Sequence, residues 1–362
     1  MTGPVLIATG GTGGHVFPAL ATARALRARG QRVAFVTDRR GARYLGGENE
    51  VYEIRAASPA GGLRRGLGAL LPIARGTLQS WRLIGRLRPS AAAAFGGYAS
   101  VPAVLAAALA RLPVLLHEQN AVLGRANRLA SRFARTLALT FADTEGLPPT
   151  LAGRGIVTGN PVRPGFAAIT PRRPGTGEAF HLLVLGGSQG ARVFGEVVPE
   201  AVARLPAALR RRLRLAMQCR PERLAAVEEH CARLGIAAEL APFFEDVAER
   251  LAASDLVVSR SGASTVAELL HLARPALLVP YPHAADDHQW ANAERLVRAG
   301  AARMLPEDAF TAERLAAMLE ELAGDPATLG RMSEAAAAMA VTDAAERLAG
   351  AVLAMLDREG AR

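Results

Sequence analysis

Gly10-Gly11-Thr12-Gly13-Gly14-His15 stands directly after the apolar run 5–9, and Gly186-Gly187-Ser188-Gln189-Gly190-Ala191 directly after the run 181–185. Each turn leads into a segment able to form a helix. A strand that ends in glycines lets the backbone approach a ligand closely, and the helix behind it aims N–H groups and the positive end of its dipole at an anion. One such cup in each half of the chain predicts two nucleotide-type domains facing one another.

Working outward, residues 33–37 read as a second buried strand, joined to the first by a helix over about 18–29 that Gly30 caps. This is a βαβ unit. Apolar runs recur at 91–95, 114–117 and 136–139, with Ala-rich helical stretches such as 101–111 between them. Strands alternating with helices mean a mostly parallel sheet covered on both faces. A stretch rich in Pro, Gly and Arg over 161–177 reads as an interdomain linker, after which the pattern restarts with strands at 181–185, 213–217, 256–259 and 276–280. The tail over 311–356 is helical by its Ala, Leu and Glu content. The fold class is therefore α/β, with two Rossmann-like domains facing across a cleft.

Length and composition agree with this. A chain of 362 residues fits two domains, each able to bury a full core. With 50% hydrophobic and 21% charged residues, and no run of 18 uncharged apolar residues, no transmembrane helix is expected. The opening Met1-Thr2-Gly3-Pro4 enters a strand without the features of a signal peptide, so a cytosolic protein is expected. Cys219 and Cys231 form no metal-ligand pattern, which predicts a reduced compartment and no structural zinc. The net charge of +10 comes from arginine alone, because the sequence holds no lysine. That excludes a Schiff-base lysine and a Walker lysine. A basic surface suits a phosphorylated substrate or an anionic membrane. Nucleic acid is disfavoured, since aromatics are 5% of the chain and do not interleave with the arginines.

The motifs sit at strand ends, where open α/β sheets bind ligands. The first glycine turn is not a dinucleotide fingerprint: counted from Gly11, the third glycine falls at Val16, although Asp38 after the second strand stands where an NAD-binding acid would be. His15 places a group that titrates near neutrality at a helix mouth. Phe95-Gly96-Gly97-Tyr98-Ala99-Ser100 and His117-Glu118-Gln119-Asn120 follow two further strands and converge on the same crevice. In the second half, Gly186 to Gly190 suits a diphosphate, and Arg163 in Gly159-Asn160-Pro161-Val162-Arg163 is in reach of it. Ser259 to Glu268 runs from a strand into a helix with Glu268 one turn inside, where a carboxylate can accept both ribose hydroxyls. The loop Pro280-Tyr281-Pro282-His283, leading to Asp286-Asp287-His288-Gln289-Trp290, carries groups that read sugar hydroxyls.

Taken in order, GGTGGH, FGGYAS, HEQN, GNPVR, GGSQGAR, SRSGASTVAE and the PYPHAADDHQ loop resemble the MurG family. These transferases add N-acetylglucosamine from its UDP derivative to the undecaprenyl-diphosphate-linked muramyl pentapeptide, converting lipid I to lipid II in peptidoglycan synthesis. The resemblance runs over essentially the whole chain and implies the two-domain GT-B glycosyltransferase fold. It implies an acceptor-binding and membrane-associating domain over 1–162, with a C-terminal helix of about 341–362 packing back on it, and a donor-binding domain over 163–340. By resemblance, Ser188 and Arg163 meet the donor diphosphate and Glu268 the ribose. Phe244 lies beside the uracil, at a position where the family often carries a smaller aliphatic residue. Ala263, Ser264, Thr265, Val266 and Ala267 run along the sugar and its phosphates, while Thr12, Gly13, Gly14, Asn120 and Gln289 approach the donor sugar from both sides of the cleft. Gly11, Gly13, Gly14, Gly96, Gly97 and Tyr98 accept the lipid-linked diphosphate.

The reaction so implied is an in-line displacement that inverts an α donor to a β1,4 link, with His15 as general base. The chain has no Asp-x-Asp motif, so no cofactor is expected to be required, and a divalent cation is not indicated. The segment 63–89 mixes Leu67, Leu70, Leu71, Ile73, Leu78 and Trp81 with arginines, which predicts contact with an anionic membrane surface. The resemblance thus places the enzyme on the cytoplasmic face of the inner membrane, peripherally, among the proteins of cell-wall synthesis and division. The nearest rival is another GT-B enzyme with a different acceptor, which would share the donor cup but not the GGTGGH, FGGYAS and HEQN set; a NAD-dependent oxidoreductase, against which the broken fingerprint counts, and a non-catalytic nucleotide-sugar binding protein are the rivals from other classes.

Overall fold

A computed structural model describes residues 3–56, 63–151, 155–187 and 191–360. The chain divides into two units, Met1–Pro164 with Val341–Arg362, and Gly165–Ala340. In the first, strands β1 Val5–Ala8, β2 Val33–Thr37, β3 Val51–Glu53, β4 Ala91–Ala94, β5 Val114–Glu118, β6 Thr136–Leu139 and β7 Gly155–Val157 form a parallel sheet in the order β3-β2-β1-β4-β5-β6-β7. In the second, β8 Phe180–Leu185, β9 Leu213–Gln218, β10 Ala237–Ala241, β11 Leu256–Ser259, β12 Ala276–Leu278 and β13 Ala302–Met304 follow the order β10-β9-β8-β11-β12-β13. The two orders are the same doubly wound pattern. In each, the chain leaves the first strand in one direction and returns to its other side, which opens a crevice at the strand ends between β1 and β4 and between β8 and β11.

The central strands are buried on both faces, so they read as continuous apolar runs. Val5 and Ile7 of β1 face one core, with Val16, Ala19, Ala23 and Leu26; Leu6 and Ala8 face the other, with Leu83, Ile84 and Val104. Leu348, Ala349, Val352 and Met355 of the helix Ala344–Gly360 complete the first of these cores. The C-terminal segment is thereby an integral part of the first unit's packing.

Some boundaries differ from the sequence reading. The first helix is Gly13–Ala28, starting five residues earlier than the periodicity suggests, because the helical backbone begins within the glycine turn itself. His15 is thereby in its first turn and Pro18 lies inside it. The strands β3, β7, β10 and β13 have no continuous apolar run. All four lie at sheet edges, where one side of the strand pairs with nothing and the pattern is mixed. Residues 165–177 pack on the second unit, with Arg172 paired to Asp255 at 2.6 Å, and the same carboxylate accepting from Gly175 N and His181 N. The division between units falls after Pro164, so Arg163 groups with the first unit, where its guanidinium lies 5.6 Å from the Phe17 ring.

Candidate active site

Three loops meet at the switch point of the first unit. The turn after β1 carries His15, the turn after β4 carries Gly96 and Gly97, and β5 runs out through His117 into Glu118, Gln119 and Asn120. The contact between the first two is made by glycines. A Cβ placed on Gly97 would lie 2.8 Å from Gly10 Cα and 3.1 Å from His15 Cδ2; one on Gly96 would lie 3.3 Å from His15 Nδ1 and Cε1. Both glycines have positive φ, +76° and +73°, which other residues resist. The imidazole of His15 therefore rests on a backbone surface that only glycine provides.

The helix Gly13–Ala28 opens behind this ring. Thr12 precedes it with extended backbone and makes no side-chain cap bond, so the first-turn N–H groups of Gly13 and Gly14 face outward with the positive end of the dipole. Gly11 abuts Asp38, whose carboxylate is held by Gly41 N at 3.0 Å and by Arg40 at 3.1 Å. Next to it, Asp38, Arg39, Arg40, Ile54, Arg55, Ala56 and Pro72 line a cavity of about 380 Å³. Tyr98, half-buried, borders the same turn as Gly96 and Gly97.

The polar quartet at the end of β5 divides its work. Glu118 is buried, and its carboxylate accepts from Asn120 N, Asn120 Nδ2, Gly124 N and Asn127 Nδ2 at 3.0, 3.3, 3.0 and 2.8 Å. Burial raises its pKa. This side chain organises the loop 118–127 and in doing so fixes Asn120. His117, fully buried, donates from Nε2 to Gly159 O at 3.0 Å, and burial lowers its pKa to about 4. Gln119 Nε2 lies 2.9 Å from Phe95 O and 3.2 Å from His117 Nδ1. The sequence marks these four residues as a group, but their individual roles depend on Phe95, Gly159 and Asn127, which are distant in the chain.

In the second unit the turn after β11, and the described start of the turn after β8, again flank the switch point. Ser188, expected at the donor diphosphate, lies outside the described residues; Gly187 before it has φ +76°. After β11, the helix Ala263–His271 has Gly262 as N-cap, with no side-chain cap and no acid in its first turn. Ala263, Ser264 and Thr265 are half-buried at this positive end, the Ser264 hydroxyl is buried without a hydrogen bond, and Val266, Ala267 and Glu268 are buried behind it. Ser261 Oγ donates to Gln289 O at 2.7 Å and Asn292 Nδ2 to Ser261 O at 3.0 Å, which ties the start of the helix His288–Arg298 to this end. Gln289 Oε1 accepts from Tyr281 N at 3.0 Å, so its amide NH2 points away from that bond. Phe244 is 3% exposed and its ring is covered by Arg250 at 4.0 Å. The exposed ring of the pair is Phe243, at 63%.

Comparison with known proteins matches the glycosyltransferase family 28 N-terminal domain over residues 5–139 and its C-terminal domain over 181–348. The chain belongs to glycosyltransferase family 28. Among its relatives in family 28 is the UDP-N-acetylglucosamine--N-acetylmuramyl-(pentapeptide) pyrophosphoryl-undecaprenol N-acetylglucosamine transferase of Rhodospirillum centenum, 51% identical over 97% of this chain and 94% of the relative. The protein of the same name from Paramagnetospirillum magneticum is 49% identical over 98% and 97%. The crystal structure of Acinetobacter baumannii MurG superposes with a TM-score of 0.80 at 31% identity, covering 97% and 99% of the two chains. A UDP-GlcNAc 2-epimerase from Neisseria meningitidis, 14% identical with a TM-score of 0.67 over 97% and 100%, shares the fold.

Proposed function

We propose that this family 28 enzyme transfers N-acetylglucosamine from UDP-N-acetylglucosamine to the 4-hydroxyl of the muramyl residue of the undecaprenyl-diphosphate-linked pentapeptide, with inversion at the anomeric carbon. The observation that carries this reading is the seating of His15 by three loops beside outward-facing helix N–H groups, in a chain 51% identical over 97% of its length to a relative of that name. The first unit takes the acceptor and supplies the base. Gly11, Gly13, Gly14, Gly96, Gly97 and Tyr98 border the acceptor diphosphate, and the arginine-lined cavity beside Gly11 favours an anion there. The second unit takes the donor, with the N-terminus of Ala263–His271 toward its phosphates and Glu268 toward the ribose. Position 244 meets the base through its backbone, since its ring is enclosed.

In the reaction the acceptor hydroxyl gives its proton to His15 while its oxygen bonds to the anomeric carbon; the bond from that carbon to the UDP oxygen breaks, and the electron pair leaves with UDP. Helix N–H groups and arginine stabilise the charge on the departing diphosphate, and a metal ion is not part of this reading.

Membrane docking belongs to the same reading. Within the helix Leu63–Leu87, Leu83 and Ile84 are buried, whereas Leu70, Leu71, Leu78 and Trp81 are 60%, 57%, 45% and 52% exposed among exposed Arg75, Arg82 and Arg86. The side chain of Leu67 lies outside the described residues. No helix of the described residues is long and apolar enough to cross a membrane. An apolar stripe flanked by arginines suits the surface of an anionic leaflet, each arginine adding about 1 kcal/mol; the acceptor's lipid supplies the reason to dock, on the cytoplasmic face.

The deciding experiment is UDP release by the purified protein. It is expected from UDP-N-acetylglucosamine only when an analogue of the lipid-linked acceptor is present. Release without acceptor, or turnover of NAD with an alcohol, would overturn the assignment.

A further inference from the structure

We propose that Gln119 is the positioning residue of His15: its side-chain oxygen and His15 Nδ1, two buried atoms that make no hydrogen bond with one another in this structure, pair in the reacting enzyme with Nδ1–H donating to Oε1, which leaves Nε2 as the nitrogen that takes the proton from the acceptor hydroxyl. The proposal rests on the reading of His15 as base.

The argument runs through three side chains. Gly159 O can only accept, so the His117 nitrogen 3.0 Å from it, Nε2, carries a hydrogen. His117 is buried and held neutral, so its Nδ1 is a bare acceptor. The Gln119 nitrogen 3.2 Å away therefore donates to it, and donates its second hydrogen to Phe95 O at 2.9 Å. Both amide hydrogens are thereby used, and the flipped amide would set its oxygen against two acceptors. The orientation of Gln119 is fixed by this logic.

Its oxygen Oε1 is buried and accepts no hydrogen bond from any described residue. It lies 3.4 Å from the point where a Gly96 side chain would begin, and His15 Nδ1 lies 3.3 Å from that same point. The two atoms border one small space, which Gly96 keeps open. An acceptor waiting there selects the Nδ1–H tautomer of neutral His15 and stabilises the imidazolium once Nε2 has taken a proton. An amide suits the position better than a carboxylate, because Phe95 O and His117 Nδ1 both require a donor.

The charged and titratable groups around His15 are His117 behind it, Tyr98 on the turn after β4, Asp38 and Arg40 against Gly11, Glu118 at the end of β5, and Arg163 over Phe17. Gln119→Met removes no charge from this set, but it also withdraws the donors to His117 Nδ1 and Phe95 O, so the wild-type tautomer of His15, which reads the Nδ1 hydrogen alone, is the direct arm of the test.

The test is ¹⁵N NMR of the histidine side chains in the full-length protein, together with the pH dependence of kcat. In the wild type, neutral His15 is expected as the Nδ1–H tautomer. In Gln119→Met its pKa is expected to fall by about one unit, a tenfold loss of proton affinity, and the acid limb of the kcat profile to move with it. An Nε2–H tautomer in the wild type, or an unmoved His15 titration in folded Gln119→Met, overturns the proposal; should that variant not fold, the wild-type tautomer decides. If the titration moves but His15→Ala keeps its rate, the coupling stands and the reading of His15 as base falls instead.

Discussion

Replacing Gly97 by alanine tests whether the contact between the two glycine turns holds the site. Gly97 has φ +73°, a conformation that costs an L residue about 1–2 kcal/mol, and its new Cβ would also lie 2.8 Å from Gly10 Cα, a backbone atom that cannot swing aside. Gly30 is the control in the same unit: its φ is +77°, and a Cβ there would meet nothing within 4 Å. Both variants gain a little from the stiffer unfolded chain, on the order of 0.4–1 kcal/mol. That gain and the backbone strain cancel in the comparison, leaving the steric contact, which by analogy with overpacked cores is worth roughly 1–3 kcal/mol. At about 2–4 °C per kcal/mol for a unit of this size, Gly97→Ala should melt roughly 2–12 °C below Gly30→Ala. Calorimetry and urea unfolding read the difference. The same Cβ would press on His15 Cδ2 at 3.1 Å, so kcat should fall at least about tenfold in Gly97→Ala and stay unchanged in Gly30→Ala. Equal melting temperatures and equal rates in the two variants would refute the reasoning, because they would mean that the turns separate without cost.

Other expectations concern single groups. His15→Ala should keep its affinity for the donor and lose about 10²- to 10⁴-fold in kcat, and an unchanged rate would remove His15 from the role of base. Burial holds the folded pKa of His117 at about 4, below its ordinary 6.5, so only the unfolded chain takes up a proton between those values. Stability from this group is therefore complete above pH 6.5 and is lost as pH falls toward 4, by roughly 3 kcal/mol. Glu118, with its pKa raised, acts in the opposite sense, so the comparison is with His117→Gln, in which Glu118 is retained; equal pH dependence of urea unfolding in both proteins would contradict the assignment. Arg274 is buried, donating to Leu272 O, Ala252 O and Ser254 O, and burial lowers its pKa to about 10. Arg274→Met strands those carbonyls and should cost roughly 3 kcal/mol in urea unfolding, an unmoved midpoint being the adverse result. Replacing Leu70, Leu71 and Trp81 together by serine should weaken sedimentation with anionic vesicles at least about tenfold; unaltered binding would assign that face another use.

The sequence by itself determined the repeated βαβ architecture and set most of the candidate site residues just beyond its strands. The reason is local. Central strands of a parallel sheet are buried on both faces and so are built on apolar runs, as β1 and β4 are throughout and β2, β5 and β8 are over most of their length, and the candidate site residues follow those runs. Gly96 and Gly97 could be picked out because they stand at such a strand end, and His15 and Glu268 because each lies on the helix that opens just after one. Tertiary structure alone decided what depends on partners far along the chain. It made β3, β7, β10 and β13 strands through pairing with a neighbour, and it chose Leu348, Val352 and Met355 as the residues by which the C-terminal helix, expected from the resemblance to pack on this unit, enters the core built by Val5 and Ile7. It divided the helix Leu63–Leu87 into a buried face with Leu83 and an exposed one with Trp81, a choice that hydrophobicity alone leaves open because both faces carry large apolar residues. It also separated four adjacent polar residues into a loop organiser, Glu118, and a relay from Gly159 through His117 to Gln119. A buried polar atom takes its role from the donor or acceptor facing it, and only the folded chain brings that partner to hydrogen-bond distance.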